Sequence, residues 1–280
     1  TKKQQNRINK SIISTVKKGD FILGNNVRKF EKKFSTLSNS KYAIGCATGT
    51  DALILALKSL NLKKNHEVII PGMSYISTGL AVALNNMKIV LAVVDNANDL
   101  ISLESIKKKI SKNTKAVIPV NLYGQKIDVK LLRQIVGRRV FIIEDSAQSH
   151  FASTCTNCEK NDHALCYKTE KSQRYADLSC YSFYPAKNLG AYGDGGIITT
   201  DNANLYKKIC ILRNLGSVKK NVHQYEGLNS RLDTLQASVL LEKIKNGQSS
   251  AQHNPIFTNR HRDEKIARVL SSRCLFVKIG

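Results

Sequence analysis

The chain has 280 residues, with 44 Lys plus Arg against 21 Asp plus Glu for a net charge of +23, seven Cys and no Trp. That length suits about two domains or one large α/β domain, and 42% hydrophobic residues exclude wholesale disorder. No apolar run approaches the roughly 18–20 residues needed to cross a bilayer. The polar start Thr1–Lys10 also lacks the apolar core of a secretory signal.

The lysines are spread along the chain in pairs and triplets, such as Lys2-Lys3, Lys17-Lys18, Lys32-Lys33 and Lys107–Lys109. They fall on the polar faces of helix-like segments, which reads as a solvated surface rather than a nucleic-acid stripe. The same field favours a small phosphorylated ligand. Most cysteines stand singly in apolar or mixed segments (Cys46, Cys180, Cys210, Cys274), which points to a reducing compartment, and a cytoplasmic protein is expected.

In chain order, Val27, Phe30, Phe34 and Leu37 have helical spacing. Tyr42–Ile44 reads as a short strand and Asp51–Leu60 as an apolar helix. Glu67–Ile70 reads as a strand stopped by Pro71-Gly72, and Ile76–Leu84 as a helix. Ile89–Val94 reads as a buried strand ending at Asp95. Leu103–Ile110 is a predicted helix, Ala116–Val120 a strand, Val129–Val136 a helix and Val140–Ile143 a strand. Continuous apolar strands alternating with helices predict an α/β fold whose parallel sheet is covered on both faces, with ligands beyond the strands' carboxyl ends.

After Phe151 the pattern breaks into a polar, insertion-like loop at 152–175, carrying Cys155, Cys158, His163 and Cys166 as C-x2-C-x4-H-x2-C. These ligand types suit tetrahedral zinc, but the last spacing is tighter than in a zinc knuckle. A solvated loop is the favoured reading and no metal is assigned. Apolar runs resume at Leu178–Phe183 and Ile197–Thr199, followed by helical patterns at Leu205–Leu212 and Leu232–Ile244. Residues 1–245 are expected to form the large domain, and 246–280 a linker and the start of a second domain.

Three segments have residue types suited to chemistry. In Ile142-Ile143-Glu144-Asp145-Ser146-Ala147-Gln148, Asp145 ends a predicted buried strand, where it is either a ligand-facing carboxylate or a helix cap or structural ion pair. In Ser182-Phe183-Tyr184-Pro185-Ala186-Lys187-Asn188, followed by Gly193-Asp194-Gly195-Gly196, Lys187 is either a solvent-facing loop lysine or a desolvated amine able to form a Schiff base with a carbonyl. Thr48-Gly49-Thr50-Asp51 opens a helix and is either an ordinary N-cap or a phosphate cradle of free backbone N–H groups. Neither the P-loop spacing nor a G-x-G-x-x-G follows the first strand. Phosphate cradle, carboxylate and lysine together are the handles that pyridoxal phosphate requires. Tyr75, just after a strand, is either a ring-stacking aromatic or an ordinary core or surface one.

The motifs Gly24-x-x-Val27-x-x-Phe30-Glu31, Tyr42-Ala43-Ile44-Gly45, Gly49-Thr50-Asp51-Ala52-Leu53, Glu144-Asp145-x-Ala147-Gln148-x-His150, Ser182-Phe183-Tyr184-Pro185-x-Lys187-Asn188, Gly193-Asp194-Gly195-Gly196 and Leu228-Asn229-x-Arg231-x-Asp233-x-Leu235-Gln236-Ala237 occur in this order between about residues 19 and 245. This pattern resembles the DegT/DnrJ/EryC1/StrS family of pyridoxal-phosphate sugar aminotransferases, which have the aspartate-aminotransferase fold.

The resemblance implies that Lys187 is the Schiff-base lysine and Asp145 the partner of the pyridine nitrogen, with Gln148 beside the ring hydroxyl. It implies that Thr50 and Asp51 lie on the phosphate turn, that Ser182 also contacts phosphate, and that Tyr75 stacks on the ring. Asn229 matches an asparagine that reaches the neighbouring subunit's cofactor, which implies a homodimer with shared sites. The expected reaction transfers an amino group from an amino acid, glutamate foremost, to a nucleotide-linked 4-keto-6-deoxy sugar. The alternatives are a truncated, non-catalytic cofactor-binding relic and a sugar dehydratase of the same family, whose members carry His where this chain has Lys187. Nucleic-acid binding ranks last, because no recognition motif accompanies the charge.

Three departures accompany the resemblance. Phe151 replaces a usually small residue, and the 152–175 loop is longer than the family pattern. The family's smaller carboxy-terminal domain is expected to be largely missing from this chain.

Overall fold

In the computed structural model the described residues are 2–152 and 175–246. The Cys155, Cys158, His163 and Cys166 cluster lies outside them, as do the residues after 246 where a linker and second domain are expected.

The chain begins with two helices, α1 (Lys2–Lys18) and α2 (Asn25–Leu37). Strand β1 (Tyr42–Cys46) leads into α3 (Gly49–Ser59), β2 (Glu67–Pro71) into α4 (Ile76–Leu84), and β3 (Lys88–Ala92) into α5 (Leu103–Lys109). Then come β4 (Thr114–Val117), α6 (Val129–Val136), β5 (Phe141–Asp145), β6 (Leu178–Ser182), β7 (Gly196–Thr200) and α7 (Ala203–Leu212). A small hairpin, β8 (Ser217–Lys219) with β9 (Val222–His223), precedes α8 (Thr234–Asn246).

Several helix starts follow from side chains that satisfy otherwise orphaned amides. Thr48 Oγ1 accepts from Asp51 N at the start of α3, and the Ser102, Asp128 and Asn202 side chains do the same for α5, α6 and α7. Asp20 accepts from Asn25 N at 2.7 Å to open α2. Gly137, at φ +68°, ends α6 in a conformation that side chains disfavour.

Seven strands form one sheet in the order β1-β7-β6-β5-β4-β2-β3. All neighbours are parallel except β7, which runs antiparallel to both β1 and β6. Consecutive residues of the central strands face opposite layers, as the two-residue strand period requires. Ala116, Ile70 and Ile143 pack in the cluster with α3, α4 and α7, while Val117, Ile69 and Ile142 pack in the cluster with α5 and α6. A third cluster joins Phe30 and Phe34 of α2 to Tyr181, Phe183, Leu232 and Leu240. The sheet is therefore covered on both faces, as the apolar strands predicted.

One expectation is corrected, and two elements are added that the sequence pattern did not show. The Ile89–Val94 segment is the edge strand β3 and not a buried one: Lys88 and Leu91 are exposed and only Ala92 is fully buried. Its apolar residues answer to a single neighbouring strand, so composition overstated the burial. The polar start of the chain forms helix α1, whose Ile8 and Thr15 are buried and whose Ser11 donates to the Ser238 carbonyl of α8. Two inward positions in seventeen gave too thin an apolar stripe to show in the sequence. The β8–β9 hairpin was likewise invisible, because its strands are three and two residues long.

The sheet's topology collects the site. Thr48, Tyr75, Asp145 and Ser182 all lie at or just past the carboxyl ends of β1, β2, β5 and β6. Antiparallel β7 starts at that same edge, so Gly196 joins them there.

Candidate active site

The turn between β1 and α3 has the N-cap of the first reading of Thr48–Asp51 and leaves room for the second. Thr48 is an N-cap, its hydroxyl accepting from Asp51 N at 2.9 Å and its carbonyl from Ala52 N at 3.1 Å. The amides of Gly49 and Thr50 come before the intrahelical ladder begins, at the positive end of the helix dipole. Two glycine contacts fix where this turn sits. A β-carbon on Gly49 would lie 2.6 Å from Ser182 Cβ, and one on Gly196 would overlap the Thr48 carbonyl. The sequence-predicted phosphate residues Thr50 and Ser182 are thus brought to one place from positions 132 apart. Thr50 Oγ1 also pairs with Ser77 Oγ at 2.7 Å, and Ser182 Oγ accepts from Tyr184 N at 3.3 Å.

Asp51 turns the other way. Its Oδ2 accepts from Ser230 Oγ at 2.7 Å, and the Ser230 hydroxyl in turn accepts from Ala47 N at 3.1 Å. Buried Ser230, which sequence reasoning missed, therefore ties the turn to the loop that carries Asn229. Asn229 lines a cavity of ≈480 Å³ with Thr48, Asp194, Arg231, Asp233 and Gln236. It lies close to the phosphate turn but is not bonded to Asp145 or Lys187.

Asp145 ends β5 buried, held by its own backbone to the β4 extension: its N–H donates to the Pro119 carbonyl and its carbonyl accepts from Asn121 N, both at 2.9 Å. Oδ2 accepts from Thr78 Oγ1 at 2.9 Å and Oδ1 from Ala147 N at 3.2 Å. Burial pushes the carboxyl up from the ordinary aspartate range, opposed by the Ala147 and Thr78 donors and by the Lys187 charge. Lys187 sits in the loop after β6, its N–H donating to the Tyr184 carbonyl at 2.8 Å. Burial holds its amine below the usual lysine range, and Asp145 opposes that shift. Each group thus lies within the other's electrostatic reach. Lys187 as a whole is half-buried.

Glu144, one residue earlier, faces the other side of β5, where Lys126 Nζ (3.1 Å), Asn121 Nδ2 (3.1 Å) and Ser179 Oγ (2.8 Å) hold it. Gln148 Oε1 accepts from Tyr123 N at 2.9 Å, which leaves its amide nitrogen as the group able to donate outward. His150 is 3% exposed, and its Nε2 donates to the Ser182 carbonyl at 2.8 Å. Burial pushes its pKa down to about 4, so the ring is neutral. Tyr75 precedes α4 and is 69% exposed. Phe151 adopts a left-handed φ of +57°, a conformation that side chains disfavour, while its ring packs 5.2 Å from Phe34.

The model of the DegT/DnrJ/EryC1/StrS aminotransferase family matches residues 2–262. The chain belongs to this family. Among curated relatives, the UDP-2-acetamido-2-deoxy-3-oxo-D-glucuronate aminotransferase of Pseudomonas aeruginosa is 36% identical over 249 residues, covering 87% of this chain and 66% of the relative. The UDP-N-acetyl-3-dehydro-alpha-D-glucosamine 3-aminotransferase of Acidithiobacillus ferrooxidans is 40% identical over 223 residues, covering 79% and 56%. Among solved structures, S. venezuelae DesV, in complex with a ketimine intermediate, superposes with a TM-score of 0.79 at 31% identity, covering 89% of this chain and 64% of that one. Bacillus subtilis NtdA with bound cofactor PMP gives 0.78 at 31%, covering 88% and 53%. The chain spans between about half and two thirds of the length of these DegT-family proteins.

Proposed function

We propose that this DegT-family chain belongs to a pyridoxal-phosphate-dependent aminotransferase that moves an amino group from an amino acid, glutamate foremost, to a nucleotide-linked keto sugar. The observation that supports it most is the pairing of a desolvated amine at Lys187 with a buried, doubly hydrogen-bonded carboxylate at Asp145. The Thr48–Asp51 turn packs beside them against Ser182 and Gly196.

These residues fit the cofactor. The first-turn amides of α3, with the hydroxyls of Thr50 and Ser182, would hold its phosphate. Asp145 would hold a proton on the ring nitrogen, Gln148 would donate to the ring hydroxyl, and Tyr75 would cover one face of the ring. Bound there, pyridoxal phosphate supplies an electron sink that stabilises negative charge at a substrate carbon. Lys187 Nζ would bind the aldehyde. Its lowered proton affinity then suits it to take a proton from the donor's α-carbon and return it to the acceptor, the behaviour of a general acid and base with a pKa moved toward neutrality. His150, neutral and bonded to the Ser182 carbonyl, would steady the strand end from which Lys187 projects.

The relatives' names put the amino or keto group at C3, which favours a 3-keto acceptor over the 4-keto sugar expected from the sequence. They include a UDP-3-oxo-glucuronate, a UDP-3-dehydro-glucosamine and two kinds of dTDP-3-amino sugar. The net charge of +23 favours such diphosphate-bearing substrates. The presence of Lys187 speaks against the dehydratase branch. A homodimer in which Asn229 reaches the partner's cofactor is part of the proposal, supported by the cavity that Asn229 shares with Thr48. A cytoplasmic setting is supported by the free thiols of Cys46, Cys180 and Cys210. No helix among the described residues is long and apolar enough to cross a membrane.

Two measurements test the reading. Borohydride reduction of the chain loaded with pyridoxal phosphate should fix the cofactor to the peptide containing Lys187, read by mass spectrometry. In a separate, unreduced sample of the loaded chain, glutamate should release one 2-oxoglutarate per bound cofactor. Labelling at another lysine overturns the site. Labelling at Lys187 without release of 2-oxoglutarate favours the non-catalytic relic.

A further inference from the structure

Asp145 meets a second element, which the sequence pattern did not reveal. Thr78, in the first turn of α4, is 0% exposed, and its Oγ1 donates to Asp145 Oδ2 at 2.9 Å. A threonine hydroxyl has one proton. With that proton committed to the carboxylate, the 2.7 Å contact between Ser74 Oγ and Thr78 Oγ1 is a bond that Ser74 donates. The hydroxyls therefore run in one direction, Ser74 to Thr78 to Asp145, and Ala147 N fixes the other carboxylate oxygen from the opposite side at 3.2 Å. Both oxygens are anchored, so the plane of the carboxylate is set before any ligand arrives.

Three other titratable groups lie near Asp145, and His150 shares Lys187 with it as a neighbour. Lys187 faces it from the loop after β6, and its charge favours ionisation. The Cys180 thiol, its register partner on β6, is itself held protonated by burial. Glu144 lies on the other face of β5, neutralised by Lys126. His150 is neutral. Of the two donors bonded directly to the carboxylate, only Thr78 is a side chain, and it belongs to the helix that Tyr75 opens.

We propose that Thr78 is a positioning residue that aims the Asp145 carboxylate at the ligand edge and keeps it ionised there. As a role in cofactor binding this rests on the function proposed above; as a statement about Asp145 it stands on the hydrogen bond alone. Because Thr78 and Tyr75 share the first turn of α4, a displacement of this helix would move the ring-stacking residue and the carboxylate's donor together.

The test compares Thr78→Val, which keeps the shape and removes the donor, with Thr78→Ser, which keeps the donor. The titration of the Asp145 carboxyl is followed by carbon NMR in the cofactor-free chain, and the dissociation constant for pyridoxal phosphate is measured in parallel. A lost hydrogen bond to a charged group should raise the Asp145 midpoint by about one to two pH units in Thr78→Val. Thr78→Ser should stay near wild type. Affinity for pyridoxal phosphate should fall about tenfold in Thr78→Val and be restored in Thr78→Ser. Should Thr78→Val fail to fold, Thr78→Ala carries the same expectation. An Asp145 midpoint unmoved by loss of the hydroxyl, or moved equally by Thr78→Ser, overturns the inference. If wild-type chain binds no pyridoxal phosphate, the proposed function falls while the NMR comparison still judges Thr78.

Discussion

Asp145 is the residue at which stability and function pull in opposite directions. Its carboxyl is buried and pushed up by desolvation, so the folded chain holds a charge there at neutral pH less comfortably than the unfolded chain does. The sign follows from proton uptake: between the ordinary aspartate value and the raised one, the folded state binds more protons, so this group's contribution declines as pH rises through that window. Asp145→Asn keeps the shape and removes the charge. At pH 7 the cofactor-free variant should therefore denature at the same temperature as wild type or a higher one, measured by calorimetry. The glutamate half-reaction should slow by about 10²–10³-fold, the usual cost of losing a preorganised electrostatic partner. A clear loss of thermal stability would show that the carboxylate is a net stabilising group and that the desolvation argument is wrong.

His150 works in the opposite sense. Its pKa is pushed down to about 4 by burial, so between about 6.5 and 4 the unfolded chain binds the extra proton. The stability it contributes is complete above about 6.5 and is lost as pH falls toward 4, up to about 3 kcal/mol for a shift of this size. Asp145 opposes this limb over the part of the window that its raised value covers. Denaturant titrations at a series of pH values should show wild type losing stability across this range. His150→Asn, which has no titrating group, should show a shallower loss. Equal slopes would place the acid sensitivity elsewhere.

At the scale of elements, the site depends on how closely the β1–α3 turn approaches β6 and β7. A methyl on Gly196 would overlap the Thr48 carbonyl, so Gly196→Ala must push the turn away from the sheet. A cost of about 1–3 kcal/mol is expected from such overpacking, together with weakened binding of pyridoxal phosphate. Gly79→Ala is the natural control. It lies inside α4, where a β-carbon would sit 3.7 Å from Ile70 Cδ1, an ordinary contact. Its helix propensity should make it neutral or stabilising by up to about 1 kcal/mol. Chemical denaturation of both variants checks the pair, and equal effects would refute the tight approach.

The elements themselves were unequally legible. Helices α4 and α6 fall on the bounds that periodicity gave, and β2, β5 and β6 within a residue or two; the strands are buried along almost their whole length, and each helix buries one side while Leu80, Leu84 and Leu131 stay exposed. Helix α1 went unread and strand β3 was read as buried because each buries only a narrow part of its surface: two residues in α1, and one end of β3. Local pattern reports burial faithfully only where an element is packed along most of one side.

At the scale of the whole molecule, the family pattern supplied the candidate residues, and the sheet shows why they work together. Residues 48, 75, 145, 182 and 187 are scattered over 140 positions but share one edge, because β1, β2, β5 and β6 all end there. The antiparallel insertion of β7 between β1 and β6 adds Gly196 to that edge and closes the floor beneath the phosphate turn. The chain covers about half to two thirds of the length of its relatives, and the edge described here is the cofactor side of the proposed site.

The sequence alone determined the two-sided α/β layering and the family, and nominated Lys187, Asp145, Gln148, Ser182 and the Thr50-Asp51 turn as candidates, since each rests on local residue type and order. It contained no sign of Thr78 or Ser230, which look like ordinary hydroxyl residues in a helix and a loop. Their roles arise from hydrogen bonds to Asp145, 67 residues away, and to Asp51, 179 residues away. A hydrogen bond between distant segments is a property of distance and burial, and only the packed sheet brings those atoms within reach.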